Sequence, residues 1–179
     1  MELGRHLERA DKTTRFLDVA SYLPDATSGA RFSTLHWSAI LRSCGALAAF
    51  RVREREITAR GVVDFLIFTQ SFPRSVRFCI ERADVCLHRI SGTPRGSFAN
   101  DAERESGRLL ADLNFGITDE ALTMGLHGYL DALQSRFNLI GEAIFRSYVL
   151  MPEIIELSPS AEARSSPAFA AWQLQQQQQ

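Results

Sequence analysis

Residues 122–148, LTMGLHGYLDALQSRFNLIGEAIFRSY, decide the fold. Leu122, Leu126, Tyr129, Leu133, Phe137, Ile140, Ile144 and Tyr148 fall at alternating three- and four-residue spacings, the seam of one helix face. A seam this long is what a bundle helix presents to its neighbours. The sequence predicts a single last helix, capped by Thr118 and closed by Pro152. Gly125, Gly128 and Gly141 interrupt it at about 1 kcal/mol each relative to Ala, which predicts a weak kink or, preferably, close packing of a neighbour there.

The same period extends upstream. Leu3, Leu7, Ala10, Thr14 and Leu17 stripe a first helix from Glu2 to Leu23 that Pro24 ends, with Phe16, Val19 and Leu23 on its second side. Two apolar sides predict a helix running through the middle of a bundle, with Glu8 and Arg9 partly buried. Trp37, Ile40, Leu41, Cys44, Leu47 and Ala48 share one sector of a helix from Ser33 to Arg53, and the charge run Arg51 to Glu56 reads as its solvated end. Gly61 to Thr69 is apolar all round, hence a buried helix. Ser71-Phe72-Pro73 opens the next helix, with Pro73 in its first turn, and Val76, Cys79, Ile80, Ala83, Leu87 and Ile90 form its buried face. Asn100-x-x-Glu103 has the spacing of a capping box, starting a helix that Gly116 ends. Period-2 alternation is missing, so the expected fold is all-α, a bundle of about five to six helices. The expected organisation is one helical domain over 1–152 and a disordered Ser-, Ala-, Pro- and Gln-rich tail over 153–179.

Composition narrows the function classes. Of 179 residues, 45% are apolar and 23% charged, as in ordinary globular proteins. Twenty basic residues against twenty-one acidic ones leave a net charge of −1, so no global field recruits nucleic acid or an anionic membrane. No apolar run, Phe65 to Phe68 included, is long enough to span a bilayer, and export is not expected from the first residues. Cys44, Cys79 and Cys86 form no close C-x2-C pair and read as small buried apolar groups in a reducing cytoplasm. His6, His36, His88 and His127 lack metal-ligand spacing, and no Gly-rich phosphate loop or nucleophile elbow occurs, so no metal and no cofactor is expected.

Two constellations carry candidate chemistry. Glu8-Arg9-Ala10-Asp11 recurs as Glu81-Arg82-Ala83-Asp84 on another helix. A buried Glu beside Arg is either an inter-helix ion pair or, with its pKa raised by desolvation, an acid or base, which makes Glu8 the one weak catalytic candidate. Arg74, Ser75 and Arg77 stand in the first turn of a helix, where free N–H groups and the dipole favour an anion. Equally, such arginines pair with acids on neighbouring helices, Asp64 among them.

The segments LGRHLERADKTTRFLDV, LRSCGALAAF, FLIFTQSFPRSVRFCIERADVCLHRISG and GLHGYLDALQSRFNLIGEAIFRSY, in that order, resemble the bacterial alpha-E domain family, a helical domain named for a Glu-Arg motif. The resemblance covers Leu3 to Tyr148 and places Glu8 and Arg9 on the hallmark pair. Family members usually carry the motif in tandem halves; this chain resembles the second, so a preceding half is expected to be missing. The resemblance implies an accessory or scaffold protein beside a circularly permuted ATP-grasp ligase-like protein and a transglutaminase-like protein, in a peptide synthesis or modification system. Two other readings stand beside it. One is an enzyme using Glu8 as acid or base with arginines holding a peptide carboxylate; the other is an inert truncated remnant.

Overall fold

The computed structural model describes residues 2–21 and 30–150; the expected stop at Pro24 and the expected tail lie outside them. The described residues form eight helices and no strand: α1 (Glu2–Ser21), α2 (Ala30–Ser43), α3 (Leu47–Arg53), α4 (Ala59–Phe68), α5 (Val76–Ser91), α6 (Asp101–Phe115), α7 (Thr118–Thr123) and α8 (Leu126–Tyr148). The all-α reading holds. Two helices more than the sequence predicts arise because two continuous stripes are each broken by a glycine.

The first break follows α2. Gly45 adopts φ +62°, and Ala46 N–H donates to the Leu41 carbonyl while Gly45 N–H donates to that of Arg42, the paired bonds of a Schellman ending. The expected helix from Ser33 to Arg53 is therefore two helices, although Leu41, Cys44 and Phe50 on both sides of the break are buried. The second break is at Gly125, φ +88°, which separates α7 from α8. Thr118 accordingly caps nothing at α8: it is the first residue of α7, and its hydroxyl donates to Asp64 Oδ1 at 2.8 Å. Close packing at the other two glycines is overturned as well, because a Cβ built at Gly128 or Gly141 meets no atom within 4 Å. A third correction concerns Pro73, which sits in a turn closed by Ser75 N–H on the Phe72 carbonyl, ahead of α5 and outside its first turn.

Four long helices close a ring: α1 packs on α5 and α8, and α6 packs on the same two. Neighbours run antiparallel. His6 lies against the Phe78 ring while Thr13 reaches the Arg74 carbonyl; Asp18 pairs with His127 while Leu3 packs against the cluster that includes Ala143. Arg77 reaches Asn114 across α5 and α6, and Asn100 and Asp112 of α6 meet Tyr148 and Arg136 of α8. The result is an up-down four-helix bundle. Its core includes Ala10, Leu17, Ile80, Leu109, Leu113, Leu130, Phe137 and Ile140. The apolar helix α4 touches α1, α2, α5, α6 and α7, and buries Val62, Val63 and Phe65 through Phe68 as its composition requires. Phe65 stacks edge-on against Phe50 of α3 and lies 5.0 Å from the Phe72 ring, tying α3 and the turn before α5 to this cap.

The cap expected at Asn100 and Glu103 forms, with the return bond of Glu103 one residue beyond the box position. Asn100 Oδ1 accepts Glu103 N–H at 3.0 Å, and Glu103 Oε2 reaches back to Ala99 N–H at 2.7 Å. No helix among the described residues is long and apolar enough to cross a membrane.

Candidate functional site

At 100° per residue, Arg5, Glu8, Arg9 and Lys12 share one side of α1. That side faces the end of α2 and the turn before α5, leaving a cleft of about 260 Å³ that Arg5, Glu8, Arg9, Lys12, Thr13, Phe16, Ser43, Cys44 and Arg74 line. Two constellations far apart in sequence thus meet in one place, the Glu8-Arg9 pair and Arg74.

Arg74 is held there by the break in α2. Its Nη1 donates to the Cys44 carbonyl at 3.1 Å, one of the carbonyls left open where Gly45 ends the helix. Its own carbonyl accepts the buried Thr13 hydroxyl at 2.8 Å. The remaining guanidinium donors are available to the cleft. Arg9 is half-buried and makes no hydrogen bond or ion pair among the described residues. Its charge is nonetheless felt below: it opposes the burial that pushes the Cys79 thiol up to about 12.

Glu8 contradicts the expected partial burial. Its side chain is 62% exposed and accepts a 2.6 Å bond from Lys12 Nζ one turn along the same helix. Phe16 and Val19, the second apolar side that suggested burial, are also exposed, because no described helix covers that part of α1. The Lys12 hydrogen bond holds the Glu8 carboxyl below its ordinary pKa, so it remains a carboxylate at neutral pH. A group meant to exchange protons near neutrality needs the opposite shift. Four cations therefore face one carboxylate that is already paired.

The expected Arg74, Ser75, Arg77 anion site does not assemble. Ser75 is fully buried, its oxygen capping Phe78 N–H and its hydroxyl donating to the Thr69 carbonyl. Arg77 turns the other way, donating to Asn114 Oδ1 at 2.8 Å and to the Phe68 carbonyl. Asp64 serves neither arginine; it accepts from Thr118 and lies 3.9 Å from Arg53. The tetrapeptide copy on α5 shares only its buried alanine with the first: Ala10 and Ala83 are inaccessible, but Arg82 lies over the Phe78 ring and Asp84 is buried.

The Cys44 thiol borders the cleft but is pushed up to about 11 by burial, which leaves it unreactive. Among the described residues no three His, Cys, Asp or Glu are grouped to hold a metal ion. A larger depression of about 900 Å³ lies over the end of α3 and the loop to α4, where the charged side chains from Arg51 to Glu56 are exposed as the sequence predicts.

Comparison with known proteins returns one family. The model of the Alpha-E family, described as a predicted alpha-helical domain with a conserved ER motif, matches residues 1–149. No curated protein and no solved structure matches the chain.

Proposed function

The chain belongs to the Alpha-E family, and on that premise we propose that it is a non-catalytic helical accessory protein whose Glu-Arg motif helps to form an anion-binding cleft. Its partners in this reading are a circularly permuted ATP-grasp ligase-like protein and a transglutaminase-like protein of a bacterial peptide synthesis or modification system. It acts in the cytoplasm, where its three unpaired thiols are at home.

One observation carries the reading. Arg5, Arg9, Lys12 and Arg74 surround a cleft whose one acid, Glu8, is already engaged by Lys12, and Arg9 stands there unpaired among the described residues. Planar guanidinium groups in such a setting take a carboxylate by paired N–H donation. The anion is a peptide carboxylate, at a chain end or on an acidic side chain of a partner. Use of Glu8 as acid or base loses its support, since exposure and the Lys12 bond keep it ionised and weakly basic.

The test is co-expression with the ATP-grasp and transglutaminase-like proteins of the same genome, followed by purification through a tag on this chain. The expected outcome is a stable complex that Arg9→Glu with Arg74→Met disrupts while the helical melting transition persists. Absence of any complex, or a complex indifferent to both substitutions, would overturn the reading.

A further inference from the structure

A second pocket, of about 500 Å³, opens between α5, the loop after it and α6. Its buried lining includes a carboxylate oxygen that lacks a donor. Asp84 lines it with a side chain only 6% exposed, and Oδ1 has no hydrogen-bond partner among the described residues. His88, one turn further along α5, has its Nδ1 3.1 Å from the Thr93 carbonyl. A carbonyl only accepts, so Nδ1 carries a proton and the Nε2 edge of the ring faces Asp84. That nitrogen lies 3.7 Å from Asp84 Oδ1, outside hydrogen-bond reach. Ser106, fully buried on α6 beside Asp84, stands behind the pocket and does not line it. Glu103 is spent on the helix cap and takes no part.

A buried carboxylate with an open oxygen calls for a cationic donor, and a primary ammonium is one. The opposite sign stands at the mouth. Arg95 is exposed, lines the pocket and makes no hydrogen bond or ion pair among the described residues. Phe98, Leu110 and Phe115 supply apolar wall between floor and mouth. We propose that this pocket binds a small amino-carboxylate, a free amino acid or short peptide, with its ammonium on Asp84 and its carboxylate on Arg95.

The electrostatics agree. Burial raises the Asp84 pKa, a penalty that His88, Ser106 and Arg95 oppose and Glu103 increases, and an incoming ammonium supplies the missing counter-charge. The site shares no residue with the cleft around Glu8, so either can fail without the other.

Calorimetric titration with L-leucine and glycyl-leucine, each beside its N-acetylated form, tests this directly. The free amines are expected to bind saturably and to raise the melting temperature. Acetylation, which removes the ammonium, is expected to cost at least about tenfold in affinity, as are Asp84→Asn and, separately, the surface change Arg95→Gln. Asp84→Asn is expected to melt at or above the wild-type temperature, since it relieves an unpaired buried carboxylate; a purely structural Asp84 would lower it. Failure of both amines to bind, equal binding of the acetylated forms, or full affinity in a folded Asp84→Asn or Arg95→Gln protein overturns the proposal.

Discussion

Arg74 holds one end of the cleft because a single backbone conformation lets it. Gly45 at φ +62° ends α2 and leaves the Cys44 carbonyl open, and a Cβ at Gly45 would lie 3.0 Å from Arg74 Nη1. Gly45→Ala therefore combines left-handed strain of roughly 1–2 kcal/mol with displacement of that guanidinium, and a denaturant melt should show a loss at least that large. Glu8→Gln should behave differently. A buried ion-pair partner would unfold the protein when removed, whereas an exposed i,i+4 partner of Lys12 should leave the melting curve unshifted within error. What was legible at this scale was local chemistry. The Asn100 and Glu103 cap is fixed by residues three apart, so sequence spacing suffices. The exposure of Glu8 was not legible, since a helical wheel gives the angle of a side chain and not whether a neighbouring helix stands there.

Among the elements, α4 was read correctly for a simple reason: a helix apolar all round has to be enclosed, and it touches five others. The two broken helices were misread because the apolar period runs on through the break. Leu122 and Leu126 keep their spacing across Gly125, and Cys44 and Leu47 keep theirs across Gly45. Glycine is ambiguous in such a run, serving as a tolerated helical residue in one place and a left-handed stop in another. Substitution separates the two uses. Gly141→Ala, inside α8 with open space around the new methyl, should stabilise by about 1 kcal/mol. Gly125→Ala, at φ +88°, should destabilise instead, and paired chemical denaturation curves of the two variants would show the opposite signs.

For the molecule as a whole, the antiparallel ring brings together residues the sequence keeps apart. Its existence was legible from long amphipathic stripes; which residues converge on a cleft was not, because that depends on how helices pair and where α2 ends. Glu8 and Arg74 meet for that reason, and Arg77, three residues on, leaves for the opposite side. Burial of Asp84 inside the ring has a consequence for stability against pH. Its folded pKa is raised above the ordinary 3.8, so the folded state holds the proton longer than the unfolded chain does. Stability from this group is accordingly greatest below pH 3.8 and is lost as pH climbs to the raised value, levelling off above it. The melting temperature of Asp84→Asn relative to wild type should rise across that interval and then stay constant; a flat difference from pH 3.8 upward would mean that burial does not strain this carboxyl.

The measurement closest to the central claim is a titration of the chain with an acidic peptide ending in two glutamates, followed calorimetrically at low and high salt. The Glu-Arg motif as part of an anion-binding cleft predicts saturable binding that weakens with salt. It also predicts that binding falls at least about tenfold in Arg9→Gln and is undiminished in Glu8→Gln. Binding that survives Arg9→Gln intact, or that Glu8→Gln alone abolishes, would contradict it.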